Sequence, residues 1–317
     1  MATQWLRRAW LLAASALLLA ACGGGTIVSK LEPTRVVNFG DGMGDLGNNS
    51  TGARYTVNDG SNNNWTQYVA SGYGRALTAR SAGGLAFAVG NARITAKPDA
   101  AGSSTTPTVK EQVDAFLAAD HPAGNDLILV SAGTSDMIVQ LRGVIEGSQS
   151  EDQARANLEA AARDFGAQIR RLVDAGAKHV VAIGPYNLGR SVWSVQTGQG
   201  GLMERTSTRF TDALLISIVD LGANVLYVDS ALMFNLDTAN PASAGLDNVV
   251  NAVCTTVDPG PGIGTGANQV NSLLCTPATV VAGSNYTRYL FADRIYPTPR
   301  GHQLLGEFAL NRIRERW

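Results

Sequence analysis

The chain has 317 residues, 45% hydrophobic and 16% charged, with 25 Lys and Arg against 26 Asp and Glu. That balance excludes a polyanion binder, because phosphate backbones are held by clustered cations, and no nucleic-acid partner is expected. The length suits one large core, and no Pro-rich or strongly charged linker divides it.

At the N-terminus, Arg7 and Arg8 precede the apolar run from Leu11 to Leu19 and small residues up to Cys22. This is the order of an export signal, and the run is too short for a comfortable membrane span. Leu19-Ala20-Ala21-Cys22-Gly23 resembles the bacterial lipoprotein signal. The resemblance implies cleavage before Cys22, lipidation of Cys22 and membrane lipid as a partner, each buried acyl methylene contributing about 0.8 kcal/mol. It also implies outer-membrane sorting, since no Asp follows Cys22, with the domain facing the periplasm or the cell surface. An ordinary signal peptide with a chance cysteine is the alternative. The expected plan is a signal peptide over 1–21, a flexible tether over 22–34 and a single domain over 35–317. Losing Arg7 and Arg8 from the 25 basic side chains leaves the 26 acidic ones in excess by three.

Arg35-Val36-Val37-Asn38-Phe39 is a β-prone run breaking into the glycine-rich Gly40-Asp41-Gly42-Met43-Gly44-Asp45-Leu46-Gly47. Open α/β sheets place their ligand-contacting atoms at such strand ends. The Asn58 to Asn64 stretch reads as a polar loop, too poor in carboxylates for a calcium loop. A helix is predicted from Asn64 to Ala70 and another over Val109 to Ala119, the latter with Val113, Phe116 and Leu117 on one side. Asp126 to Ser131 is the clearest buried strand, running directly into Ala132-Gly133-Thr134-Ser135-Asp136. Ser150-Glu151-Asp152-Gln153 has the form of a capping box, followed by Leu158, Phe165, Ile169 and Leu172 at helical spacing. A strand over Val180 to Ile183, a helix over Leu202 to Leu221, a strand over Asn224 to Asp229 and a terminal helix over Gly301 to Trp317 complete the pattern. Repeated helix-to-strand alternation predicts an α/β fold, a three-layer α/β/α sandwich with a mostly parallel central sheet.

Cys254 and Cys275 lie in the exported part, where an oxidising compartment favours their pairing. Closing the 254–275 loop is worth about 3 kcal/mol on the chain-entropy estimate. Two thiolates without a nearby histidine do not complete a zinc site, so the staple reads as structural. No cofactor or metal is expected.

Four blocks, in order, resemble the SGNH or GDSL esterase-lipase family over roughly residues 35 to 315. They are Phe39-Gly40-Asp41-Gly42, Phe87-Ala88-Val89-Gly90-Asn91, Gly133-Thr134-Ser135-Asp136 and Asp293-Arg294-Ile295-Tyr296-Pro297-Thr298. The resemblance implies a serine nucleophile at position 42, a backbone oxyanion donor at Gly90, an asparagine at 135, and an aspartate and histidine at 293 and 296. This chain keeps Gly90 and Asp293 but has Gly42, Ser135 and Tyr296. Glycine cannot form an acyl-enzyme ester. A phenol, with reference pKa near 10, is a poor base at neutral pH. Three changes at cooperating positions predict a centre that has lost serine-based hydrolysis.

Substitutes for the lost groups are weak. His302 lies in the predicted terminal helix and reads as a packing or capping residue, while His121 and His179 read as ordinary polar residues. Asp41, Asp45 and Asp136 are candidate cleft residues that could act as acid and base or hold a cation, but Asp in glycine-rich turns commonly accepts from backbone amides. The expected role is binding or support at the envelope, with room left by Gly42 and Ser135 for an acyl or carbohydrate ligand. An esterase with a non-standard site and a purely structural surface lipoprotein are the alternatives.

Overall fold

The computed structural model describes residues 30–317; the signal, Cys22 and most of the tether lie outside the described residues. In chain order the elements around the central sheet are β1 (Val36–Gly40), α1 (Trp65–Gly72), α2 (Val109–Ala119), β2 (Leu127–Ser131), α3 (Thr134–Ile145), α4 (Glu151–Asp174), β3 (His179–Ile183), α5 (Val192–Thr197), α6 (Gly200–Ile218), β4 (Val225–Tyr227) and α7 (Ser230–Ala239). The short strands β5 (Asn248–Ala252), β6 (Val257–Asp258), β7 (Gln269–Val270) and β8 (Tyr289–Phe291) follow, and α8 (Pro299–Arg316) closes the chain.

Strands β1 to β4 form one parallel sheet in sequential order, with Gly40 opposite Ser131 and Ser131 opposite Ile183. Every residue of β1 and β2 is buried, as expected of parallel strands covered by helices on both faces. Helix α4 packs along α6, and α1 along α8. Inside, Phe39 stacks on Phe87 at 5.3 Å between ring centroids and meets the edge of Phe116 at 5.5 Å. These contacts tie the first block to α2 beneath the sheet. The predicted three-layer α/β/α architecture is the one observed.

Local signals explain most elements. Asn64 caps α1 by accepting from Thr66 N, and Thr108 with Glu111 forms a complete capping box on α2. The predicted box on α4 is only half formed: Ser150 accepts from Gln153 N at 3.1 Å, while Gln153 Nε2 turns outward to Asn157 Oδ1 at 2.9 Å. Three helices, α3, α5 and α7, are additions to the predicted set. Asp229, read as strand, instead caps α7 by accepting from Leu232 N. Helix α3 starts at Gly133, whose φ of +108° only glycine adopts readily, with no side-chain cap of its own. Its exposed amide groups are met from elsewhere in the chain, at the site.

Away from the main sheet, β5 pairs with β8, β6 pairs with β7, and Cys254 is bonded to Cys275.

Candidate functional site

The four blocks meet at the carboxyl ends of β1 and β2. The β1 turn places Asp41 beneath the start of α3: Asp41 Oδ2 accepts from Thr134 N at 2.9 Å and approaches Ser135 N at 3.4 Å, while Oδ1 accepts from Met43 N at 3.1 Å. A carboxylate there satisfies amides that a helix leaves without intrahelical partners. Burial nevertheless pushes the Asp41 carboxyl up to about 7, its backbone hydrogen bonds acting in the other direction.

Position 42 is filled from outside. A Cβ on Gly42 would lie 2.6 Å from Tyr296 Oη and 2.7 Å from its Cζ, so the phenol occupies the space a side chain at 42 would need. Tyr296 is 0% exposed, and burial drives its pKa well above the ordinary phenol value, so it is neutral and unable to serve as a base. Ser135 is also fully buried; its hydroxyl opposes the effect of burial on the phenol, yet neither Ser135 Oγ nor Tyr296 Oη reaches hydrogen-bond geometry. The room expected at Gly42 is therefore taken by the Tyr296 ring.

Gly90 was expected to offer a backbone donor. Its amide instead donates to Asp45 Oδ2 at 2.9 Å, and Asp45 Oδ1 accepts from Gly47 N and Asn48 N. Above Gly90 sits Tyr55, whose ring carbon Cε2 is 2.0 Å from where a Cβ would stand, and whose ring lies 4.8 Å from that of Tyr296. Tyr55 was not anticipated; its only sequence signal is a lone aromatic in a loop of Gly, Asn and Thr. Two tyrosines thus cover Gly42 and Gly90.

The remaining carboxylates are committed to structure. Asp136 accepts from Arg93 Nε at 3.1 Å and from Ile94 N at 2.9 Å, and burial raises its pKa. Asp293 Oδ1 accepts from Ile295 N at 2.8 Å and Tyr296 N at 2.7 Å, and Oδ2 from Ser272 N at 3.1 Å. Where an aspartate would orient a histidine, this one folds the turn that presents Tyr296. Among the described residues no group of three or more His, Cys, Asp or Glu side chains could hold a metal ion, so Asp41, Asp45 and Asp136 do not converge as a cation site.

Histidine does not replace the base. His302 is buried in α8 against the backbone of Tyr55, and burial pushes its pKa down to about 3. His179 meets Trp317 edge to face at 5.0 Å, and His121 is exposed. Beside the strand ends remains a cavity of about 10 Å³ bordered by Met43, Trp65, Ser131, Thr134, Tyr186 and Leu305, space for about one water. A wider hollow of about 580 Å³ lies elsewhere, between α4 and the start of α6, where Arg155, Arg205 and Arg209 alternate with Glu151, Glu204 and Asp212. Its mixed charges hold none of the motif residues.

The parallel sheet, the blocks at its carboxyl ends and the order of those blocks define an SGNH-type α/β fold. The family profile described as GDSL-like Lipase/Acylhydrolase matches residues 36–309, and the chain belongs to that family. A GDSL esterase/lipase of Arabidopsis thaliana is 26% identical over 200 residues, covering 59% of this chain and 51% of the plant protein, so the chain spans about half the length of that relative. Among solved structures, a lipolytic protein of the G-D-S-L family from Veillonella parvula is similar at 11% identity and a TM-score of 0.44, over 87% of this chain and 96% of its own. An acetylxylan esterase from Geobacillus stearothermophilus is similar at 14% identity and a TM-score of 0.43, over 91% and 96%.

Proposed function

We propose that this member of the GDSL-like lipase/acylhydrolase family is catalytically degenerate and serves a binding or supporting role at the bacterial envelope. One observation carries the reading: the neutral phenol of Tyr296 fills the position that a nucleophile on residue 42 would need. Serine hydrolysis requires a nucleophile and a base within hydrogen-bond reach, and the residues at 42 and 296 supply neither. The commitment of Asp45 to Gly90 N supports the same reading, because it removes a donor from a developing oxyanion.

Purified protein assayed on short and long acyl esters is expected to stay at the background of an unrelated folded protein. The comparator is the Gly42→Ser, Ser135→Asn, Tyr296→His triple variant. Turnover by the unmodified protein well above that background would refute the proposal. Anchoring through a lipidated Cys22 is part of the same proposal, supported by the signal-like Leu19-Ala20-Ala21-Cys22. A Cys22→Ser variant is expected to leave the membrane fraction, and its retention there would remove that part.

A further inference from the structure

The segment closed by Cys254 and Cys275 touches the second and fourth blocks, the helix that begins in the third, and the loop that carries Tyr55. Asn91 Nδ2, beside Gly90, donates to Gly262 O at 3.2 Å. Arg142 Nη1, on α3, donates to Gly264 O at 3.0 Å, and Arg294 Nη1, next to Asp293, donates to Thr265 O at 3.1 Å. Near the far cysteine, Ser272 N donates to Asp293 Oδ2 at 3.1 Å. Cys275 O accepts from Asn58 N at 2.9 Å and Asn58 Nδ2 at 3.1 Å. The middle of the segment is anchored by Ile263, 1% exposed.

Two of these contacts have direct consequences for the centre. Asp293 folds the turn presenting Tyr296, and Asn58 bonds the backbone of Arg54, the residue before Tyr55, through both ends of its side-chain amide. Both are held by the last four residues before the disulfide closes. Within the segment itself, regular structure amounts to the two-residue β6 and β7 ladder and the short turn Ser272–Leu274. The run from Asp258 to Gly266 is rich in Gly and Pro and has a large conformational entropy to lose. The covalent link limits the open conformations available to that run and so favours its closed position.

We propose that residues 254–275 form a strap over the Gly42 centre and that the Cys254–Cys275 disulfide is its latch, so that a dithiol reductant opens the centre without unfolding the domain. A reductant thiolate attacks one sulfur and breaks the S–S bond, giving a mixed disulfide. The second reductant thiol then displaces the protein sulfur, leaving two cysteine thiols and a cyclic disulfide. The sulfurs are buried, but Leu274, Thr255 and Thr276 on either side are exposed, so local fraying of the segment gives the reductant access.

The test needs no enzymatic activity and so stands apart from the assay above. Ser135→Cys in the full chain places a reporter thiol at the centre, and its alkylation is followed by peptide mass spectrometry in the presence and absence of the added changes Cys254→Ser and Cys275→Ser. Removing the latch is expected to speed labelling at residue 135 by about tenfold or more, as local opening does. Hydrogen exchange on the unmodified chain with and without dithiothreitol is the second measurement. Exchange is expected to rise over 49–63 and 254–298 while β2 and β3 stay protected. Equal labelling rates, a disulfide that resists reduction until the domain melts, or exchange rising in β2 and β3 together with the strap would each overturn the proposal.

Discussion

At Gly42 the absence of a side chain is a packing fact as well as a chemical one. Tyr296 Oη already stands 2.6 Å from the Cβ position, closer than real Cβ contacts come. Gly42→Ser alone is therefore expected to destabilise the protein by roughly 1–3 kcal/mol, the usual cost of overpacking a close-packed core. Adding Tyr296→His should recover part of that loss, which urea melts of the single and double variants would measure. A single variant as stable as the parent would contradict the packing. Asp41 offers a second residue-scale test through pH. Its folded pKa of about 7 stands above the unfolded value near 3.9, so the native state holds more protons between those values and stability from this group falls as pH rises through the window. His302, lowered to about 3, acts in the opposite sense over an overlapping range, with stability rising as pH rises toward its unfolded value. Comparison with Asp41→Asn isolates the carboxylate. The parent should lose ground against this variant between about pH 4 and pH 7, and a pH-independent difference would show that Asp41 does not titrate there.

Among the elements, α4 and α3 show how far local sequence reaches. Ser150 satisfies an amide at the start of α4, but Gln153 does not return the bond. Thermal melts should accordingly show Ser150→Ala costing about 1 kcal/mol and Gln153→Ala only a few tenths, the reverse order being incompatible with the half-formed box. The strands β1 to β4 and the helices α1, α2, α4, α6 and α8 were legible because their caps and apolar periodicity lie within the element. Helix α3 was not, because the group that receives its first amides is Asp41, 93 positions away in sequence. Asp229 was misread for a different reason: it follows β4 by two residues and caps α7, and the β-prone run before it hides the cap.

On the scale of the whole molecule, the disulfide closes a strap that spans the blocks. In the chain-entropy account the Cys254→Ser, Cys275→Ser variant should lose about 3 kcal/mol, measurable by urea melting, and should still unfold in one cooperative transition. A loss that abolished folding would mean that the strap supports the central sheet as well as the centre. The sequence by itself determined the α/β alternation, the order of the four blocks, the pairing of Cys254 with Cys275 and the absence of Ser, Asn and His at positions 42, 135 and 296. These follow from residue identity and from periodicity within single elements. Only the tertiary structure decided that Tyr296 and Tyr55 cover Gly42 and Gly90, that Asp45 takes the Gly90 amide, and that Asp293 takes the Ser272 amide. The reason is physical: what a buried polar group or an empty Cβ position does depends on the neighbours that long-range packing brings to it, and those neighbours lie tens to hundreds of residues away along the chain.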